Sequence, residues 1–230
     1  MSWALSNAGM LWHLTAQNAY LALVPVLIGL VIALPLGIAC VRFGWLYPPV
    51  LSITSVLYAL PALALFVALI AYTGLTDTTV IIPLTVYALA VLFPSVVDGL
   101  RSVPDPVRQA AVAMGFGAWR RLATVELPLA TPIVIAGLRV AAVSSISLVS
   151  VGQLIGIGGL GYLFIDGEQR DFTTEIVVGI VLIIVLSLIV DTVLVLARWL
   201  LTPWQRRTRA ERRAAARSGS VGREQLVEGL

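Results

Sequence analysis

The chain has 230 residues, 59% of them hydrophobic and 12% charged, with a mean hydropathy of +0.98. A soluble domain carries about a quarter charged residues, so a soluble fold is excluded and an all-α, polytopic membrane protein is expected. All fifteen basic residues are arginine; a P-loop needs its lysine for the nucleotide phosphates, so a standard Walker A site is excluded, and any ATP-driven work must use the ATPase of another polypeptide.

Residues 1–19 place Trp3, Leu5, Met10, Leu11, Trp12 and Leu14 among small polar residues. No basic stretch precedes an apolar core, so a cleavable signal is not expected, and an interfacial helix anchored by tryptophans is. The single histidine, His13, reads as an interfacial side chain, and the single cysteine, Cys40, as a small apolar packing residue near a span end. One of each excludes a disulfide or a Cys/His metal site within the chain.

Apolar runs long enough to cross a hydrocarbon core, which takes about 20 helical residues, follow at 20–41, 49–72, 79–97, 129–152 and 176–197. Together, residues 20–200 form a five-span membrane domain. Pro25 and Pro35, Pro61, Pro83 and Pro94, and Pro132 lie inside the first four spans; such prolines free carbonyls and kink helices. Five spans put the termini on opposite sides. With the N-terminus outside and the C-terminus inside, thirteen of the fifteen arginines face the cytoplasm, as positive charge does. Arg170 falls outside, beside Asp166, Glu168 and Asp171, and Arg139 falls within the membrane. Residues 201–230 form an arginine-rich tail expected to touch anionic lipid rather than nucleic acid.

The segment 105–128, DPVRQAAVAMGFGAWRRLATVELP, interrupts the apolar pattern on the expected cytoplasmic side. Asp105 suits an N-cap and Pro106 the first helical position. Ala110, Ala111, Ala113 and Met114 favour a helix over 106–114, and Gly115 a stop. A second short helix is expected over 118–127, closed by Pro128.

The spacing inside this segment carries a family resemblance. Gln109-Ala110-Ala111, three residues, Gly115, nine residues and Val125-Glu126-Leu127-Pro128 resemble the EAA signature, EAA-x3-G-x9-I-x-LP, of the permease subunits of bacterial ABC importers. The resemblance implies a type I importer permease fold in the cell membrane, with this helix–loop–helix docking in a cleft of an ATP-binding subunit. It makes Gln109, Ala110, Ala111, Gly115, Leu127 and Pro128 the coupling residues, with Arg108, Arg120 and Arg121 as polar rim contacts. Gln109 departs from the family's glutamate, so a charge-assisted contact becomes a neutral hydrogen bond. VLIGLVIALPLGIACVR, PPVLSITSVLYALPALALF and VELPLATPIVIAGLRVA are similar to the osmoprotectant permeases for glycine betaine, carnitine and choline. The methionine permeases share the five-span plan, and SSISLVSVGQ departs from the osmoprotectant pattern.

Gly156, Gly158 and Gly161 match the dinucleotide fingerprint G-x-G-x-x-G, and Glu175 follows nineteen residues after Gly156. That fingerprint needs a preceding strand, whereas this one ends a membrane span. Gly156, Gly158, Gly159 and Gly161 therefore read as an external turn, similar to the GAGGLG element of importer permeases. Arg139 needs a partner or an aqueous cavity; Asp98 and Asp191 are the candidates, either to tie helices together or to stabilise one state of a pathway. Tyr58, Phe66, Tyr72, Tyr87 and Phe93 are able to make cation–π contacts to a quaternary ammonium group, but packing explains most of them and no substrate site is assigned.

The expected function is thus the permease subunit of a binding-protein-dependent ABC importer for quaternary-amine osmoprotectants. The implied partners are ATP-binding subunits, a second permease subunit (identical or paralogous), an extracytoplasmic substrate-binding protein and the bilayer. No cofactor or metal is expected in this chain, ATP and magnesium being used by the partner ATPase. A methionine or other amino-acid importer permease, an ATP-independent secondary transporter and a membrane scaffold subunit stay open as alternatives.

Overall fold

The computed structural model describes residues 2–203, which contain helices and no strand. Of the tail expected over 201–230, residues 204–230 lie outside the described residues. A short helix α1 (Ser2–Ser6) is followed by α2 (Ala8–Arg42), 35 residues long. At 1.5 Å per residue α2 measures about 52 Å, well beyond a hydrocarbon core about 30 Å thick. The boundary expected after residue 19 falls inside this helix. Thr15, Gln17 and Asn18 change the composition there, but none of them terminates a helix. Along α2 the residues Leu11, Asn18, Ala22, Pro25, Gly29, Ala33, Gly37 and Cys40 are buried, a stripe with helical spacing in which Pro25 is absorbed.

The second expected span departs most from expectation. It is two helices, α3 (Tyr47–Ala59) and α4 (Ala62–Thr73), bent by 91° at Leu60 and Pro61. Pro61 has no N–H to continue the ladder, and the residue before a proline is pushed out of the helical region. Leu60 accordingly adopts φ −70°, ψ 139°, and its N–H turns back to the Leu57 carbonyl. The Leu60 carbonyl accepts the Tyr87 hydroxyl, so a tertiary contact holds the break open.

The remaining spans are α5 (Asp77–Arg101), α8 (Leu127–Gly152) and α10 (Thr173–Leu201). Four described helices are long and apolar enough to cross a membrane, and counting α3–α4 as one bent span makes five. Helices α2, α5 and α8 pack against one another as the core; α3 and α4 lean on α5, while α10 leans on α8. Because lipid supplies no hydrophobic drive between helices, small residues at close crossings matter. A Cβ at Gly37 would stand 2.6 Å from Val96 Cγ1, and one at Gly137 would overlap the Ser95 side chain.

Two short helices, α6 (Asp105–Ala113) and α7 (Ala118–Arg121), lie between α5 and α8, and a third, α9 (Tyr162–Gln169), lies between α8 and α10. We expect Gly137→Val to wedge α5 from α8 and cost about 1–3 kcal/mol, as core overpacking does. Gly9, where an added Cβ would meet nothing within 4 Å, supplies the control. Thermal unfolding in detergent should show a lower midpoint for Gly137→Val and an unchanged one for Gly9→Val.

Candidate functional site

The hairpin is built by local chain chemistry. Helix α6 (Asp105–Ala113) starts one residue earlier than expected: Pro104 is the N-cap, and Asp105 is already helical with no side-chain cap bond. Asp105 instead pairs with Arg108 at 3.6 Å. At the other end, the Gly115 N–H donates to the Val112 carbonyl and the Phe116 N–H to the Ala111 carbonyl. With Gly115 at φ +80°, this is a Schellman ending, which a residue with a Cβ reaches only at a cost.

The second arm differs from the expected short helix. Helix α7 (Ala118–Arg121) passes into one π-helical turn, Leu122–Glu126, and then directly into α8. Pro128 does not close it, because it lies in the first turn of α8, after the Leu127 N–H has bonded back five residues to the Leu122 carbonyl. The wider turn is a usual way to accommodate an insertion or a misfit within a helix. The arm and the span are therefore one 38-residue rod, 118–155.

Glu126 ties the hairpin together. It is 7% exposed, and its Oε1 accepts from Arg121 Nε at 2.8 Å and lies 3.8 Å from Arg108 Nε. Arg108 Nη2 also donates to the Leu100 carbonyl in the last turn of α5, at 2.6 Å. A carboxylate on the α8 rod thus holds α6, and α6 holds the end of α5. On the α2 side a cleft of about 710 Å³, lined in part by Pro35, Ile38, Arg42 and Trp119, separates the hairpin from that helix.

The expected coupling residues divide by face. Gln109, Ala110 and Gly115 are exposed, Ala111 is buried, and Leu127 and Pro128 are half-buried at the root of the rod. Of the three arginines expected as rim contacts, Arg108 and Arg121 turn inward to Glu126. Arg120 stays exposed, its guanidinium 4.4 Å from the Phe116 ring centroid. Val112, Met114 and Trp119 are 53%, 66% and 72% exposed. Three large apolar side chains exposed on so short a polar element suit an interaction surface.

Within the spans, Arg139 meets Asp191, with Nε to Oδ1 at 2.6 Å and Nη2 to Oδ2 at 2.8 Å. This two-pronged pair joins α8 to α10 and satisfies the requirement that an intramembrane charge be paired. Asp98 is exposed and has no part in it.

The glycine-rich turn lies at the opposite end of the bundle. Gly156 adopts φ +83° and is exposed, whereas Gly158, Gly159 and Gly161 are buried. A Cβ at Gly159 would be 2.8 Å from the Asn18 backbone. Asn18 is fully buried; its Nδ2 donates to the Ile146 carbonyl and its Oδ1 accepts the Leu160 N–H, both at 3.3 Å. It thereby joins α2, α8 and the turn. Sequence reasoning missed Asn18 by assigning it to an interfacial segment, and read Glu126 only as part of the spacing. The signal for Asn18 was its place in the α2 stripe. Next to the turn, the Tyr162 hydroxyl donates to Asp166 Oδ1, and burial, then the Asp166 charge, raises the phenol above its ordinary value.

Residues 11–207 match the family described as binding-protein-dependent transport system inner membrane component. The chain belongs to this family. As a member it is a multi-pass inner-membrane subunit of a transport system. It is 32% identical to the osmoprotectant import permease protein OsmW of Salmonella typhimurium, over 86% of this chain and 95% of that one. It is 29% identical to the glycine betaine/carnitine/choline transport system permease protein OpuCB of Bacillus subtilis, over 88% and 94% respectively. Its fold is similar to that of a chain from the MetNI methionine ABC transporter in inward-facing conformations, with a TM-score of 0.67, 22% identity, and coverage of 81% of this chain and 96% of that one.

Glu126→Gln should remove the charge that holds Arg108 and Arg121, at a cost of about 2 kcal/mol to the local fold. We expect faster hydrogen exchange across 105–113, with the centres of α2 and α5 unchanged.

Proposed function

We propose that this chain is a permease subunit for quaternary-amine osmoprotectants, energised by a separate ATP-binding subunit that docks on the hairpin. The observation that carries the docking reading is the exposed apolar tip of Val112, Met114 and Trp119 on a hairpin clamped to α5 and α8 through Glu126. The substrate class is supported by relatives named for osmoprotectants, for glycine betaine, carnitine and choline, and for choline. The methionine reading has the support of a fold likeness at 22% identity.

In this reading the arginine placement orients the hairpin, with the C-terminus, toward the cytoplasm. Two permease subunits flank the path, two ATP-binding subunits sit beneath, and an extracytoplasmic binding protein delivers the solute. ATP and magnesium act in the partner, since this chain has no lysine for a Walker A site. When the ATPases close, they push on α6. The α5–α6 link spans only residues 102–104, and the second arm is continuous with α8, so the push reaches two core helices with little slack. This is alternating access through rigid-body movement. The Arg139–Asp191 pair makes α10 travel with α8, and the turn held by Asn18 closes the far end.

Gly115→Asp should force an L-residue into the left-handed region at a cost of about 1–2 kcal/mol and place a charge on the docking face. In proteoliposomes containing the ATPase and the binding protein, we expect this variant to insert normally but lose about tenfold or more of its ATP-driven uptake. Gln109→Glu should retain uptake. Undiminished uptake by Gly115→Asp would exclude the hairpin as the coupling element.

A further inference from the structure

The bend between α3 and α4 has the makings of a solute subsite. Tyr87, whose hydroxyl bonds the Leu60 carbonyl, is the eleventh of the 25 residues of α5, or about 15 Å along the helix, close to the middle of a hydrocarbon core about 30 Å thick. Pro61 has no N–H, and residues 62 and 63 do not bond back across the break. The carbonyls of Tyr58 and Ala59 at the end of α3 therefore accept no backbone hydrogen bond among the described residues. Leu60 is 41% exposed and Tyr58 50%.

Irregular backbone at this depth is tolerated where protein buries it or where it lines a water-filled cavity, and not against lipid. Within the chain this stretch is not buried, which leaves it free to line a path. The chemistry on show there has one sign. The C-terminal end of a helix carries partial negative charge, and the Tyr58 ring stands beside it, edge-to-face with Tyr87 at 5.5 Å and 71°. The other aromatic candidates drop out. Phe66 and Phe93 are fully buried, and Tyr72, at 88% exposure, lies in the last turn of α4. Carbonyl dipoles together with an accessible aromatic face, in a site with no acidic side chain, suit a bulky cation that cannot donate hydrogen bonds.

We infer that Tyr58 and the free carbonyls of Tyr58 and Ala59 form a transient subsite for the quaternary ammonium group of the solute as it crosses the membrane. The inference rests on the substrate class proposed above. It makes Tyr58 a residue that touches substrate and Tyr87 a positioning residue, which keeps the break open through Leu60.

The test uses the assembled transporter in proteoliposomes with saturating binding protein and radiolabelled glycine betaine. We expect Tyr58→Leu to lower solute moved per ATP hydrolysed by about tenfold, the scale of a desolvated cation–π contact, with ATP hydrolysis unchanged. Tyr58→Phe, which keeps the ring, should transport nearly as the parent does. Equal coupling in Tyr58→Leu and the parent would overturn the inference. A second readout does not depend on the substrate class. In a Cys40→Ala background, Tyr58→Cys should react with a charged, membrane-impermeant thiol reagent in the assembled transporter. Failure to react, or a disulfide joining the Tyr58→Cys positions of two copies, would mean that lipid or a second subunit covers this face, and the subsite would fall. If the parent moves no quaternary amine while the thiol still reacts, the substrate proposal fails and the water-lined face stands.

Discussion

The hold that Glu126 keeps on Arg108 and Arg121 is the constraint on which the rest of the molecule depends. A nine-residue helix standing outside a bundle has too little contact area to keep its own orientation, and short helices are marginal by themselves. Here one buried carboxylate, braced by Arg121 on its own arm, draws α6 to the root of α8 through an ion pair of 3.8 Å with Arg108. Arg108 carries the connection to the last turn of α5 by a hydrogen bond. The two helices so joined are core members that pack against each other and against α2. A force on the hairpin is therefore a force on the core.

The π-turn at Leu122–Glu126 is part of the same device. A proline at 128 would normally end or kink the arm, and the hairpin would then hang from α8 by a joint. The five-residue bond from Leu127 to Leu122 takes up the misfit within the helix, and the arm continues as a rod. At the far end, Asn18 does for the glycine-rich turn what Glu126 does for the hairpin, with one buried polar side chain joining three pieces of chain. Between them, Arg139 and Asp191 bind the peripheral α10 to α8. In a membrane protein such polar ties can set geometry, because lipid leaves helix association to packing and hydrogen bonds.

Much of this was legible in the sequence. Hydropathy located the four long apolar helices and the bent α3–α4 pair among the described residues, and the spacing from Gln109 to Pro128 identified the family. Gly115 was expected as a stop and sits at φ +80°. What was not legible is tertiary. Six prolines lie inside the expected spans, and a sequence treats them alike; Pro61 alone breaks its span by 91°. At Leu60 the hydroxyl of Tyr87, 27 residues away, takes the freed carbonyl, and no local pattern shows that. Asn18 was misplaced for a similar reason, since a compositional boundary was read as a conformational one. Arg108 and Arg121 look like free surface charges until Glu126 is brought beside them.

The most direct test of the coupling account is photo-crosslinking from the exposed tip of α6, with a photoreactive residue in place of Val112 in membranes that contain the whole transport system. The account predicts a covalent adduct with an ATP-binding subunit, formed from position 112 and not from the exposed Val181 within span α10. Adducts from position 112 with lipid or with a second copy of this chain, and none with an ATP-binding subunit, would contradict it.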